Sequence, residues 1–465
     1  MEEHIEKELL ANRIKGPYLS SPFSKFQISP IGLVPKKEPN SYRMITHLSC
    51  PDGTSINDGI SKDFATVMYA SVDDAIKAIL KVGKGAFLAK ADIKSAFRLI
   101  PVSPDQYHLL CMKWKGKYYY DCCLPMGVKS ACQIFEVFSS NIEHILKSEG
   151  VLFVLHYLDD YLFVNGTLCT CDNDLNSFEK LADDINLPLA TEKTIRPTQK
   201  LEFLGLEIDT IAEIVRLPID KVEKCKSMIG DMLSRSKCQL KELQALLGLL
   251  NFACAVVAPG RAFLQSMYSL TSGLTKKNHY KRLTVQVKKD LKVFYQFLDS
   301  YNGVSFYREQ MFMSCEVKHL HTDAAQGLGY GAVFVNEWFS IPWPSQFWKV
   351  QNITLLELIP IVLALATWGK ILSNQVLIIH TDNDALHFVI NKQYSKEDDV
   401  KHWIRQLVTL SLKFNILLKA KHILGKQNIL ADALSRLDVK KFLKLHPTAS
   451  RKASIPPPID SFLSD

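Results

Sequence analysis

The spacing of apolar and polar residues changes character several times along the chain. Residues 1–60 are rich in Pro, Ser and Gly with short apolar pieces such as Ile28 to Val34, which reads as loops and short strands. Val72 to Val82 has helical spacing, while Ala86 to Ala91 and Val151 to Val164 are largely apolar runs of strand type. A turn-rich piece at 165–175 precedes a helix expected at 174–185, then strand-like Leu201 to Ile208 and Glu213 to Leu217.

Residues 218–300 read as mostly helical and basic, with amphipathic periodicity in Lys221 to Leu233 and Leu240 to Val257. Pro259-Gly260 breaks the second of these helices, and the polar stretch Asn302 to Glu309 reads as a linker. A new unit then begins with strand-like Val317 to His321, Gly327 to Val335 and Trp338 to Ile341. A long helix at 352–372, a strand at 375–380, further helices, a strand Ile416 to Ile423 and a last helix from Ile429 follow. Three strands followed by alternating helix and strand is an α/β signature. From 439 the chain is basic and then Pro-rich, ending in Ile455-Pro-Pro-Pro-Ile459, which predicts an extended surface tail.

Composition narrows the class without naming it. The 465 residues suggest roughly two to four domains, and 47% hydrophobic with 22% charged residues excludes disordered, collagenous and coiled-coil classes. The longest apolar run, Leu355 to Trp368, is interrupted by Glu357 and Pro360, so no membrane span is expected. The charged segment Met1 to Leu10 is unlike a secretory signal. Eleven cysteines, an odd number without paired Cys-x-x-Cys spacing, fit free thiols in a reducing compartment. The expected location is intracellular, cytoplasmic or nuclear, and not secreted. Lys plus Arg outnumber Asp plus Glu by 56 to 48, a net +8 that permits a nucleic-acid partner without establishing one.

The chemistry is carried by carboxylates at the ends of apolar strands. Ala86 to Ala91 runs into Asp92, and Val151 to Leu158 runs into Asp159-Asp160. Adjacent carboxylates in apolar surroundings repel each other and cost several kcal/mol per ion unless compensated. Two divalent cations about 3.5–4 Å apart would compensate them. The alternative is a hairpin turn with exposed aspartates.

Tyr157-Leu-Asp-Asp160 resembles the Tyr-x-Asp-Asp signature of reverse transcriptases, and the surrounding segments follow that family's order. Ala91-Asp-Ile-Lys-Ser-Ala-Phe-Arg98 is similar to the first palm motif, and Leu124-Pro-Met-Gly-Val-Lys-Ser-Ala131 to the turn beneath the nascent base pair. Ala190-Thr-Glu-Lys193 is similar to the lysine motif, Leu201-Glu-Phe-Leu-Gly205 to the primer grip, and Val34 to Arg43 to the fingers hairpin. The resemblance implies metal binding by Asp92, Asp159 and Asp160, and a triphosphate clamp from Lys36 and Arg43. It also implies an aromatic floor at Phe97 that rejects a 2′-hydroxyl, base-pair contacts at Met126 and Gly127, and a proton donor at Lys193. Met126 departs from the Gln usual in retroviral enzymes.

In the second half, His321-Thr-Asp323 and His380-Thr-Asp382 close two strands, Glu357 interrupts an apolar helix, and Asp432 begins the last one. Glu357 read alone complements its helix dipole, and Asp432 read alone is a cap. Together, Asp323, Glu357, Asp382 and Asp432 resemble the metal-binding set of ribonuclease H, with His422 in the position of that family's loop histidine.

Over roughly 16–438 the chain thus resembles the reverse transcriptase–ribonuclease H segment of a retrotransposon, most like DIRS-type elements, with gypsy-like elements as the runner-up. The implied fold is an α+β right-hand polymerase followed by an α/β ribonuclease H-like domain. Its expected parts are fingers and palm at 1–212, thumb and connection at 213–310, nuclease at 311–438 and tail at 439–465. Two Mg²⁺ per site, or Mn²⁺, would serve an RNA template, a DNA primer, an RNA–DNA hybrid and deoxynucleoside triphosphates, without a membrane and with other element-encoded proteins as further partners. A domesticated product that binds nucleic acid without chemistry, or a nuclease-only remnant, is the competing expectation.

Overall fold

The computed structural model describes residues 1–35, 42–256, 258–273, 276, 278–300, 317–373, 375–393, 395–414 and 416–463. The chain divides into two compact units, Met1–Glu213 and Ile214–Asp465. The Asn302 to Glu309 linker lies outside the described residues. Among the described residues no helix is long and apolar enough to cross a membrane, and ten cysteines are free thiols.

The first unit opens with helix α1 (Glu2–Leu10), where loops and short strands were expected. Pro, Ser and Gly averaged over sixty residues hide a nine-residue helix whose Glu2 and Glu3 sit in the first turn and Lys7 in the last, as the helix dipole favours. Its one buried residue, Ile5, packs with Ile14, Met112 and Tyr119. Strand Ile14–Tyr18 joins Lys117–Asp121 and Cys111–Trp114 in a small antiparallel sheet. Strands β1 (Ile31–Pro35) and β2 (Tyr42–Thr46) form an antiparallel hairpin, with Val34 opposite Arg43.

Helix α2 (Val72–Val82) begins in a capping box between Ser71 and Asp74, and buries Ile76 and Ile79. It leads into β3 (Phe87–Asp92). Helix α3 (Ala131–Ser148), the hairpin β4 (Val154–Tyr157) and β5 (Asp160–Asn165), helix α4 (Leu168–Asp184) and β6 (Ile195–Thr198) follow. The four strands form an antiparallel sheet ordered β4-β5-β3-β6. Phe135, Ile142 and Leu146 of α3 and Leu175 and Phe178 of α4 bury against Ala89, Ala91, Tyr161 and Phe163 of the strands. Each such large apolar side chain contributes about 1.5–3 kcal/mol. The turn expected at 165–175 is mostly helix. Thr167 caps α4 by accepting the Thr170 N–H at 3.2 Å, so the Cys-Thr-Cys-Asp run forms the start of the helix, with Cys169 and Thr170 exposed and Cys171 buried in the core.

In the second unit, α5 (Ile219–Ser234), α6 (Leu240–Ala253), α7 (Gln265–Thr271) and α8 (Val285–Ser300) are helical as expected. Helix α6 stops at Ala253, and a short 3₁₀ segment, Ala258–Phe263, spans the Pro259-Gly260 break. Strands β7 (Lys318–Ala325), β8 (Gly329–Phe334) and β9 (Glu337–Pro342) form an antiparallel meander. Helix α9 (Ile353–Trp368), strand β10 (Val376–Thr381), helices α10 (Asp384–Lys392) and α11 (Asp398–Lys413), strand β11 (Leu417–His422) and helix α12 (Ile429–Ser435) complete the five-stranded sheet and its cover. The order is β9-β8-β7-β10-β11, with β10 parallel to both β7 and β11. Helix α12 lies so close to β8 that a Cβ on Gly331 would sit 2.3 Å from Leu434 Cβ.

The tail is not the free extended segment expected. Helix α13 (Val439–Leu445) buries Phe442 beneath Trp338, and Ser450 and Ser454 hydroxyls each donate to Glu337 at 2.9 Å. The anchoring aromatic stands among lysines, so basic composition masks the signal.

Candidate active sites

The first site grows from the register of one sheet. Asp92 ends β3 and Asp160 begins β5, directly opposite each other across the ladder. Like charges facing across a sheet are destabilising, yet Asp92 is buried and Asp160 half-buried. Two ammonium groups meet them. Lys193 Nζ donates to both oxygens of Asp92 at 2.9 and 3.0 Å, and Lys90 Nζ lies 3.2 Å from Asp160. Lys193 reaches Asp92 because its 3₁₀ turn is tied to the same strand end, the Ala190 N–H donating to the Asp92 carbonyl at 2.8 Å.

Asp159 sits in the two-residue loop of the β4–β5 hairpin, with Tyr157 paired to Asp160. The other loop residue, Leu158, has φ +54°, a left-handed conformation that costs a branched residue about 1–3 kcal/mol. Neighbours hold it there. Ser139 Oγ, fully buried on α3, donates to the Leu158 carbonyl at 2.8 Å, and the Ile93 N–H donates to the Asp159 carbonyl at 3.0 Å. Burial raises the Asp159 carboxyl, and the charges of Asp92 and Asp160 add to the shift. Burial also raises Asp160, against the lowering pull of Lys90. Behind the hairpin, His156 bridges Glu143 and Glu136. Burial lowers its basicity but the two carboxylates outweigh it, leaving the imidazole raised.

Phe97 lies on the 3₁₀ turn Ala96–Leu99, half-buried and edge-to-face with Phe135 at 5.4 Å. Met126 is half-buried and Gly127 exposed at φ +102°, a conformation suited to glycine. That turn is pinned by Asn57, which sequence reasoning did not single out. Asn57 Nδ2 donates to the Gly127 carbonyl and Oδ1 accepts the Lys129 N–H, both at 2.8 Å. Arg43 is exposed on β2 and forms no ion pair with the three carboxylates, while Lys36 lies outside the described residues.

The second site gathers four carboxylates from four elements: Asp323 in β7, Glu357 in the second turn of α9, Asp382 just past β10, and Asp432 in α12. Burial and then Asp382 push the Glu357 carboxyl up to about 7, with Asp323 adding to it. Burial also raises Asp323, opposed by the Ser435 hydroxyl that donates to it and reinforced by Asp382 and Asp432. Arg436 Nε donates to Asp432 at 2.6 Å. Gly425 approaches Asp382 so closely that a Cβ would lie 2.9 Å from Oδ2. His422 is the last residue of β11 rather than a loop residue, with Nε2 3.2 Å from the Asp382 carbonyl oxygen and 3.5 Å from Asp384. The ties made by Ser139, Asn57 and Gly425 join residues 19 or more apart in sequence, so local patterning carries no signal for them.

Among the described residues no three acidic, His or Cys groups close around a common point tightly enough to enclose an ion as they stand. At the first site, Lys193 and Lys90 already sit where positive charge is called for. At the second, Arg436 does so on Asp432 alone.

Residues 34–208 match the family model described as reverse transcriptase (RNA-dependent DNA polymerase), so the chain carries a reverse transcriptase domain. Its relatives include retrotransposon Pol polyproteins. It is 25% identical over 426 residues to the retrovirus-related Pol polyprotein from transposon 297 of Drosophila melanogaster, covering 89% of this chain and 36% of that protein. It is 23% identical over 369 residues to that from transposon gypsy of the same fly, covering 77% and 34%. The chain thus spans about a third of the length of these curated relatives. In fold it is similar to the foamy viral protease–reverse transcriptase, solved in complex with double-stranded DNA. The TM-score is 0.54 at 17% identity, over 91% of this chain and 69% of that one. A second structure of that protein with double-stranded DNA gives 0.52 at 17% identity, over 91% and 82%.

Proposed function

We propose that this chain is an RNA-directed DNA polymerase that also cuts the RNA strand of the hybrid it makes. The observation that carries the reading is the pairing of Asp92 with Asp160 across one sheet, with Asp159 beside them and Lys193 and Lys90 supplying positive charge. One buried and two half-buried carboxylates that draw two ammonium groups form a donor set suited to Mg²⁺ or Mn²⁺. Bound there, such ions would promote attack by a primer 3′-hydroxyl and offset charge on the departing pyrophosphate.

The chain's own residues do the remaining work. Lys193 Nζ holds a proton beside the leaving pyrophosphate, and Arg43 with Lys36 clamps the triphosphate. Phe97 is the floor beneath the sugar, where a ring collides with a 2′-hydroxyl and so selects deoxynucleotides. Met126 and Gly127 support the nascent base pair, on a turn fixed by Asn57.

The second half reads as a ribonuclease H-like domain, from its sheet order and its carboxylates Asp323, Glu357, Asp382 and Asp432. These would hold the same kind of ion, and His422 would pass a proton toward the departing 3′-oxygen. The RNA template, DNA primer, hybrid and deoxynucleotides are the partners this reading requires, and a DIRS-type retrotransposon is the proposed source. In this reading the fingers and palm are 1–212, the thumb 213–310 and the nuclease 311–438, in a reducing, intracellular setting.

The test is a primer-extension assay on an RNA template with Mg²⁺, beside a cleavage assay on a labelled hybrid. Extension and cleavage together support the reading. Cleavage without extension leaves a nuclease-only protein, and neither leaves only nucleic-acid binding.

A further inference from the structure

The N-terminal helix reaches the proposed nucleotide site through one guanidinium. Arg98 is the neighbour of Phe97 on the turn Ala96–Leu99, and its side chain is only 11% exposed. Its Nε and Nη2 donate to Glu8 Oε2 of α1 at 3.0 and 2.8 Å, and Nη1 donates to the Cys123 carbonyl at 3.1 Å. Nη2 also lies 2.6 Å from Oδ1 of the buried Asp121, a charge contact rather than an aligned hydrogen bond. Glu8 is braced in turn by Arg13 at 3.5 Å.

These partners matter for what they connect. Cys123 is two residues before Pro125, at the start of the Met126–Gly127 turn, and the Leu124 N–H donates to the Ile100 carbonyl at 2.8 Å. Asp121 ends the strand that pairs with Ile14–Tyr18, the strand following α1. Arg98 therefore joins α1, that sheet and the Met126–Gly127 turn to the turn bearing Phe97. The planar fork of an arginine fixes position and angle together, which a lysine cannot.

We infer that the Arg98–Glu8 clamp is a positioning device that sets the height of the Phe97 ring, and with it the discrimination between deoxyribo- and ribonucleotides. This rests on the polymerase reading, in which Phe97 lies beneath the sugar. Arg98 and Glu8 touch no substrate and act through Phe97. A collision between ring and 2′-hydroxyl depends steeply on distance, since about 1 Å of misplacement can cost about a hundredfold in rate.

The experiment measures kcat/KM for a deoxynucleotide and for the matching ribonucleotide in the full chain. The unmodified protein is compared with Glu8→Gln, Arg98→Lys, Phe97→Ala and the double variant Phe97→Ala with Glu8→Gln. Glu8→Gln keeps an oxygen acceptor for Arg98 and so protects folding, which thermal melting and hybrid cleavage both monitor. The expected result is a loss of discrimination of about tenfold in Glu8→Gln and Arg98→Lys. It should arise mainly from improved ribonucleotide use, and Glu8→Gln should add nothing once Phe97 is Ala. An unchanged ratio in both clamp variants overturns the inference, as does an equal loss for both nucleotides. A protein that extends no primer at all instead fails the polymerase reading itself.

Discussion

The two carboxylate clusters solve one electrostatic problem by different means. In the first unit the charges converge through strand register: Asp92 faces Asp160 within one sheet, and lysines from neighbouring positions answer them. In the second unit four separate elements each deliver one carboxylate, and a serine, an arginine and a side-chain-free glycine adjust the fit. The first arrangement lies within a single sheet and is strained at Leu158. The second is assembled at long range and carries its tension as charge, visible in a Glu357 carboxyl raised to about 7 by burial and by Asp382.

The sharpest way to separate the clusters is to remove one carboxylate from each. Asp160→Asn is expected to cut primer extension by about 10³-fold and leave hybrid cleavage intact, and Asp382→Asn to do the reverse. Parallel assays of both activities check it, and loss of both in either variant would merge the two sites into one. Next in size is Gly425→Ala. The added Cβ at 2.9 Å from Asp382 must displace that carboxylate, so cleavage should fall by about 10- to 100-fold while extension holds.

A smaller effect tests the strain. Ser139→Ala removes the hydroxyl that holds the Leu158 carbonyl and should lower stability by about 1–3 kcal/mol, read from urea unfolding of the first unit. The smallest effect is a pH dependence behind the hairpin. His156 is raised in the folded state, so its contribution is fully present below its unfolded value of 6.5 and is lost as pH rises through the folded value. Glu143 is lowered, burial being outweighed by its bonds to His156 and Lys147, so its contribution is present above 4.5 and lost on acidification. The unmodified protein should therefore exceed His156→Gln in stability most clearly near pH 5.5–6.5 and converge on it at alkaline pH. A constant difference from pH 5 to 9 would remove the charge from the explanation.

Sequence patterning serves where structure is local. Asp92, Asp159 and Asp160 were legible because apolar strands end on them, and the order of strands in the second half was legible from its periodicity. Helix α1 was not, because its surroundings are loop-like, and α4 was read too short because its polar first turn looks like a turn in composition. Ser139, Asn57 and the Glu8–Arg98 pair act across 19, 70 and 90 residues, and no window of one sequence contains both partners. His422 fell within the strand expected at Ile416 to Ile423, and the strand observed ends on it.

The docked tail has a consequence for handling the molecule. Strand β9 is the outermost of its sheet, and the Ser454 N–H donates to the Trp338 carbonyl on it at 2.8 Å. An uncovered strand edge is a template for pairing with another chain. A protein ending near residue 438 would keep every carboxylate of the second site yet bare that edge and the Phe442 pocket, and would be prone to self-association. The docked segment thus covers an edge that would otherwise pair with another chain.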